Sequence, residues 1–263
     1  MKISIVTMSF NQRDYLQIAI ESVLSQGYPD LEYILVDPGS TDGSRELIRA
    51  YSDRITHTIF EPDLGPAHGL NKGFSKATGD VFGFLNADDV LMPGSLQAVS
   101  DFFGKNPECD FALGNGHIID AEGRKIRRIE ARDFTVQRYF YGGTRWLQQS
   151  TFFRSDVYLR SPGFNIENRT CWDGELFITM ANQGAKIGYI GAYLSRFRIH
   201  SSSITGSSIN VKEYREDSRR IFKQVRGRKW RATDELLRLF YRTEGFLHRI
   251  CSSLLSSVER CLS

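Results

Sequence analysis

Ile3-Ser4-Ile5-Val6 and Tyr33-Ile34-Leu35-Val36-Asp37 are two short apolar runs, and the residues between them follow a different period. Leu16, Ala19, Ile20, Val23 and Leu24 recur at helical spacing until Gly27 and Pro29 stop the pattern. Residues 3–37 therefore predict strand, helix, strand. Outward from this unit the alternation continues. Pro38-Gly39-Ser40 forms a turn, Thr41 or Asp42 can cap a helix carrying Leu47, Ile48 and Tyr51, and Ile55 to Phe60 make a third run ending in Glu61-Pro62-Asp63. Residues 65–77 read as loop and helix, and Val81 to Leu85 as a buried strand ending in Asn86-Ala87-Asp88-Asp89. Such alternation predicts an α/β fold, a mostly parallel sheet with helices on both faces.

After Pro93-Gly94 a helix carries Leu96, Val99, Phe102 and Phe103, and residues 111–119 and 125–129 flank Asp120-Ala121-Glu122-Gly123 as a hairpin. Residues 130–150 carry no readable period and are either a loop covering a substrate or an irregular packed segment. Asp173 to Gln183 reads as a helix, residues 186–190 and 193–199 as two strands, and the chain beyond Ser203 as charged helices. The boundaries expected are one domain over 1–205 and a helical tail over 206–263.

The 34 Lys and Arg residues nearly balance the 31 Asp and Glu, leaving +3, too little to imply a polyanion partner. Composition excludes collagen-like and disordered classes. No window of eighteen apolar residues occurs, and Met1-Lys2-Ile3 runs into a strand without a signal-type segment, so a cytoplasmic location is expected. Cys109, Cys171, Cys251 and Cys261 are too scattered for a zinc site or a disulfide framework and read as reduced thiols.

In an open parallel sheet, ligands bind beyond the carboxyl ends of the strands. There the chain places Thr7, Ser9 and Asn11, then Asp37, then Glu61 and Asp63, then Asn86, Asp88 and Asp89. One strand-end aspartate is ordinarily a helix cap; four successive strand ends with oxygen ligands point to a site. Adjacent carboxylates repel unless a cation or donor-rich ligand offsets them. Mg²⁺ or Mn²⁺ does so while completing its shell with substrate phosphates, which points to a nucleotide diphosphate. Neither G-x-G-x-x-G nor G-x-x-x-x-G-K-[ST] occurs, so glycine-amide phosphate cradles are absent.

The strings TMSFNQRDYLQIAIESVLSQ (7–26), YILVDPGSTDGS (33–44), EPDLGPAHGLNKGFSKATGD (61–80) and FLNADDVLMPGSL (84–96) together resemble the family 2 glycosyltransferases of GT-A fold. QQSTFFR (148–154), WDGELFITMANQG (172–184) and RFRIHSSSIT (196–205) resemble the acceptor-side half of the same family. The resemblance implies an inverting, metal-dependent enzyme that moves a sugar from a nucleotide-sugar, usually a UDP-sugar, to a glycan or lipid-linked acceptor. It implies that Thr7, Ser9 and Asn11 line the nucleotide pocket, that Asp37 accepts from the base, and that Glu61, Asp63 and Asn71 face nucleotide or sugar. By the same resemblance Asp89 holds the metal with His200, Asp88 faces ribose or sugar hydroxyls, and Asp173 is the catalytic carboxylate. Pro38, Asn86 and Trp172 depart from the family, each standing where an acid is common.

The chemistry agrees. An acceptor hydroxyl needs a carboxylate to remove its proton, help worth about 10² to 10⁴ fold. Asp173 is the candidate, and one base without a paired nucleophile suggests a single displacement. On the acceptor side, Gln149 either binds hydroxyls or ends a strand, and Trp172 either stacks on a sugar or packs in the core. His200, taken alone, is an ordinary structural histidine.

Seven basic residues lie between Arg219 and Arg231, followed by apolar residues from Leu236 to Leu255 at helical spacing. This tail either lies on an anionic membrane, at its inner face, or packs as a helix on the domain or a second copy. A catalytically silent nucleotide-sugar-binding or scaffolding subunit is the alternative function. A nucleic-acid partner is not expected, since aromatics do not interleave the basic stretch.

Overall fold

The computed structural model describes residues 1–201, 203 and 211–244. Phe246, Leu247, Ile250, Leu254 and Leu255, expected on the tail helix, and Cys251 and Cys261 lie outside the described residues. The first half builds β1 (Ile3–Met8), α1 (Arg13–Leu24), β2 (Leu31–Val36), α2 (Ser44–Ala50), β3 (His57–Ile59), α3 (Pro66–Phe74) and β4 (Val81–Asn86). These four strands are parallel in the order β3-β2-β1-β4, with β1 in the centre.

The sheet then becomes mixed. β5 (Val90–Leu91), α4 (Ser95–Lys105), β6 (Phe111–Ile119) and β7 (Lys125–Ile129) follow, then α5 (Val136–Tyr141), β8 (Thr151–Arg154), α6 (Ser155–Arg160), α7 (Trp172–Asn182) and β9 (Ile187–Arg198). β8 runs antiparallel between β4 and β6, β9 pairs β6 in parallel, and β5 closes the row against β9. The expected hairpin forms as β6 and β7. The two strands expected at 186–199 are one strand, because extra residues bulge out where Gly114 to Gly116 shift register against it. β8 and α5 were invisible in sequence, each being only a few residues long.

Period-two alternation distributes the side chains between two cores. Ile3, Ile5, Tyr33, Leu35 and Leu85 pack under α1 and α4, while Val6, Ile34, Val36, Phe82 and Phe84 pack under α3 and α7. Gly73 is required where α3 crosses β1, since a Cβ there would collide with Val6. A helix α8 (Val211–Arg226) follows β9, and residues 232–244 are helical. Ile221 joins the α3/α7 core, and Glu175 on α7 grips Arg220 through two contacts of 2.6 and 2.7 Å.

Glu32, buried in β2, is the polar strut of the sheet's other end. It accepts from Lys2 Nζ at 2.7 Å, Ser4 Oγ at 2.6 Å and Thr78 N at 2.7 Å. Burial alone would raise its pKa, but these donors outweigh burial and lower it from 4.5 to about 2. The folded-state pKa lies below the unfolded one, so this stabilisation is present above pH about 4.5 and fades as pH falls toward 2. Glu32→Gln should lose about 1–3 kcal/mol at pH 7 in urea unfolding, with the gap to wild type shrinking below pH 4.

Candidate functional site

A cleft of about 580 Å³ opens beyond the carboxyl ends of β1 and β4. Of the residues singled out in sequence, Ser9, Asn86, Asp88, Gln149, Trp172 and Asp173 line it together. His200 reaches Asp88 from a smaller neighbouring cleft that it shares with Asn11, so the pair stands on the boundary between the two.

Asp88 and Asp89 are adjacent in sequence and opposite in role. The Asp89 side chain is fully buried, and protein donors engage both its oxygens. Oδ1 accepts from the Arg198 backbone at 2.9 Å, and Oδ2 from Gln149 Nε2 at 2.6 Å and Asn86 Nδ2 at 3.3 Å. Burial first, then the neighbouring Asp88 charge, push its carboxyl well above the usual range. Asp89 is thus placed as a strut, in contrast to the metal ligand expected of it, and Gln149 spends its amide on that strut. Asp88 keeps 14% of its side chain exposed, and its Oδ2 lies 3.0 Å from His200 Nε2. One carboxylate oxygen and one ring nitrogen, side by side at the cleft, suit a hard divalent cation that takes its remaining ligands from phosphate oxygens. Among the described residues no group of three or more His, Cys, Asp or Glu is arranged to hold a metal by itself.

Arg198 is the residue the sequence reading missed. Its Nε donates to the Asp88 carbonyl at 2.8 Å, its Nη1 to the Asp120 and Ala121 carbonyls, and its guanidinium lies 4.7 Å from the Tyr15 ring centre. Its sequence signal was its place in the string RFRIHSSSIT, two residues before His200.

The nucleotide-side residues divide. Asp37 is fully buried; its Oδ1 accepts from Gly39 N, Ser40 N and Arg45 Nε, while Oδ2 has no partner among the described residues. Ser9 Oγ is likewise buried and unpartnered. Asn11, at φ 51°, ties the loop after β1 to the loop after β2, accepting from Thr41 N and donating its own N–H to Ser40 Oγ. Asp63 caps Gly65 N through Oδ1 and leaves Oδ2 unpartnered, and Glu61 is an exposed partner of Lys72 at 3.0 Å. Two more residues are tied into the fold. Thr7 shares the face of Ile3 and Ile5 and is buried, accepting from Tyr33 Oη at 3.1 Å, so its hydroxyl does not line the cleft. Asn71 staples the loop after α6, accepting from Phe164 N and Tyr158 Oη and donating to Phe164 O.

Asp173 lies in the first turn of α7 and faces the cleft, accepting from Gly174 N at 2.7 Å. Burial raises its pKa from 3.8 to about 6, where a carboxylate is basic enough to accept a proton and still ionised near neutrality. Trp172 beside it is 8% exposed, with its indole N–H unpartnered among the described residues.

Residues 4–159 match the family model for glycosyl transferase family 2. The chain belongs to that family. An uncharacterized glycosyltransferase of Nostoc is 40% identical over 216 residues, covering 77% of this chain and 66% of the relative. A putative teichuronic acid biosynthesis glycosyltransferase of Bacillus subtilis is 32% identical over 130 residues, 48% of this chain and 51% of that one. The chain thus spans about half to two thirds of the length of these relatives. Among solved structures, S. aureus TarS 1–349 in complex with UDP-GlcNAc superposes with a TM-score of 0.70 at 17% identity, over 86% of this chain and 65% of that one. The family 2 glycosyl transferase accordingly has the expected α/β, GT-A type of fold.

The division of labour between this family member's adjacent aspartates is measurable in unfolding. Asp89→Ala strands the Arg198 amide and the Gln149 side chain and should lose about 2–4 kcal/mol. Asp88→Ala should stay within about 1 kcal/mol of wild type in the same titration. Equal losses would show that the two carboxylates share one structural role.

Proposed function

We propose that the chain transfers a sugar from a UDP-sugar to a hydroxyl of a glycan or lipid-linked acceptor, with inversion at the anomeric carbon. The observation that carries this reading is Asp173, a carboxyl held at about 6, in the same cleft as Asp88 of the Asp88–His200 pair. The UDP-GlcNAc bound by TarS supports a UDP-sugar donor, and the teichuronic acid biosynthesis named for the Bacillus relative supports an acidic glycan as product.

On the donor side, the unpartnered Asp37 Oδ2 is an acceptor for a base N–H, and Ser9 Oγ is a hydrogen-bonding group for the nucleoside. Asp88 and His200 would hold Mn²⁺ or Mg²⁺, which when bound supplies positive charge against the leaving diphosphate. On the acceptor side, Asp173 takes the proton of the attacking hydroxyl, and Trp172 walls the cleft against water. Among the described residues the acids lining the cleft are Asp88 and Asp173, so with Asp88 given to the cation no second carboxylate there is left as a nucleophile, which favours one in-line displacement. The cleft residues so assigned favour an enzyme over a silent subunit.

Calorimetry of UDP with and without Mn²⁺ tests the donor side; metal-dependent binding should be present in wild type, lost in Asp88→Ala, and weaker for GDP. Absence of nucleotide binding under every metal condition overturns the reading. Asp173→Asn should reduce turnover about 10² to 10⁴ fold while UDP still binds. Because Asp173 acts ionised, kcat/KM should rise with pH through about 6 and level off above it. The raised pKa makes the ionised form a burden on the fold above that pH, so Asp173→Asn should melt no lower than wild type at pH 8. An NMR spectrum of the first-formed product with retained configuration would exclude the single displacement.

A further inference from the structure

A second cleft, of about 660 Å³, lies between α5, α8 and the helix over 232–244. Among the described residues, Arg215, Arg219, Arg238 and Arg242 line it against a single acid, Glu235, and aromatic walls come from Tyr139 and Trp230. Arg238 pairs with Glu235 at 3.0 Å, and Glu235 also accepts from Trp230 Nε1. Arg215, Arg219 and Arg242 have no carboxylate partner among the described residues, whereas nearby Arg220 and Arg228 are each locked to acids. Residues 211–244 hold eleven Lys and Arg against six Asp and Glu, more positive charge than the whole chain's +3.

Three unpaired guanidinium groups converging on one concavity repel one another, and a multivalent oxyanion is what relieves that repulsion. Guanidinium pairs with phosphate oxygens through two parallel hydrogen bonds, and its weak hydration suits a cleft with aromatic walls. Tyr139, which lines this cleft, sets its hydroxyl against Gly174, and a Cβ on that glycine would collide with it. Gly174 follows Asp173 directly, so the basic cleft abuts the turn that carries the base.

We propose that this cleft is a phosphate-binding subsite for the acceptor, holding a phosphodiester or diphosphate group while the hydroxyl reaches Asp173. The inference rests on the reading of Asp173 as the acceptor-side base. The phosphate belongs either to a water-soluble acceptor or to one carried in a membrane. Leu236, Leu239 and Phe240 are exposed on the helix that supplies Arg238 and Arg242, which suits the second source.

Calorimetry of the full chain with inorganic pyrophosphate, at saturating UDP and Mn²⁺ to occupy the donor site, is compared with sedimentation on phosphatidylglycerol and phosphatidylcholine vesicles. Pyrophosphate binding that weakens about tenfold for each of Arg215→Ala and Arg219→Ala, with UDP affinity unchanged, supports a subsite open to soluble acceptors. Binding to phosphatidylglycerol vesicles alone, lost in the same variants, supports the subsite with a membrane-borne phosphate as its source. Both arginines are exposed, and unchanged melting temperatures verify that the variants fold. No binding in either arm, or affinities the variants leave unchanged, overturns the proposal. Failure of UDP itself to bind would instead overturn the donor-site reading, so the two failures are distinguishable.

Discussion

The buried carboxylate of Asp89 is the constraint on which the site depends. It lies just past β4, yet its oxygens are engaged by the backbone of Arg198 at the end of β9 and by Gln149 just before β8. Three distant stretches of chain are thereby fixed at one point beyond the sheet. A buried carboxyl is tolerated only when donors surround it, and losing one partner would strand the others. Because Asp89 is held this way, Asp88 is fixed by its carbonyl to Arg198 and presents its side chain to the cleft and to His200. The Asp88–His200 pair is therefore positioned by a neighbour whose own oxygens are engaged by protein donors.

Two of the sequence's departures from the family pattern gain a physical account here. Asn86 stands where an acid is common, and its amide donates to Asp89 Oδ2. An aspartate there would present a third carboxylate to a site that already holds two, and would repel Asp89 instead of supporting it. Trp172 opens α7 with most of its ring in the core, beside Cys171 and Leu176, while part of it walls the cleft. The two readings left open for it are therefore not exclusive.

What was legible in the sequence was whatever depended on local period. β1, β2 and β4 and the helices between them followed from spacing alone, and with them the crevice where the strand ends converge. Which of two adjacent aspartates turns inward was not legible, because the donor that decides it, Arg198 N, lies 109 residues away. The contacts of Asn71 were hidden for the same reason, its amide donating to Phe164 across 93 residues. Thr7 shows a different limit. Both faces of a central parallel strand are buried, so a polar residue within it carries no mark of which layer it enters.

Residues 211–244 are coupled to the candidate site through α7. Asp173 and Glu175 are two residues apart on that helix and so point to different sides. Asp173 faces the cleft, where burial raises its pKa, while burial of Glu175 is outweighed by Arg220 and two asparagines, which lower it. Glu175 thereby anchors α8, whose Phe222 packs against Phe140 and Trp230. Further along, Arg228 and Tyr141 share Asp234, fastening the helix over 232–244 to α5. Residues 211–244 accordingly pack on α5, within the segment 130–150 that lacked any readable period. That segment has little helical pattern of its own because the side chains that order it, among them Phe111, Phe177, Tyr189, Phe222 and Asp234, lie elsewhere in the chain.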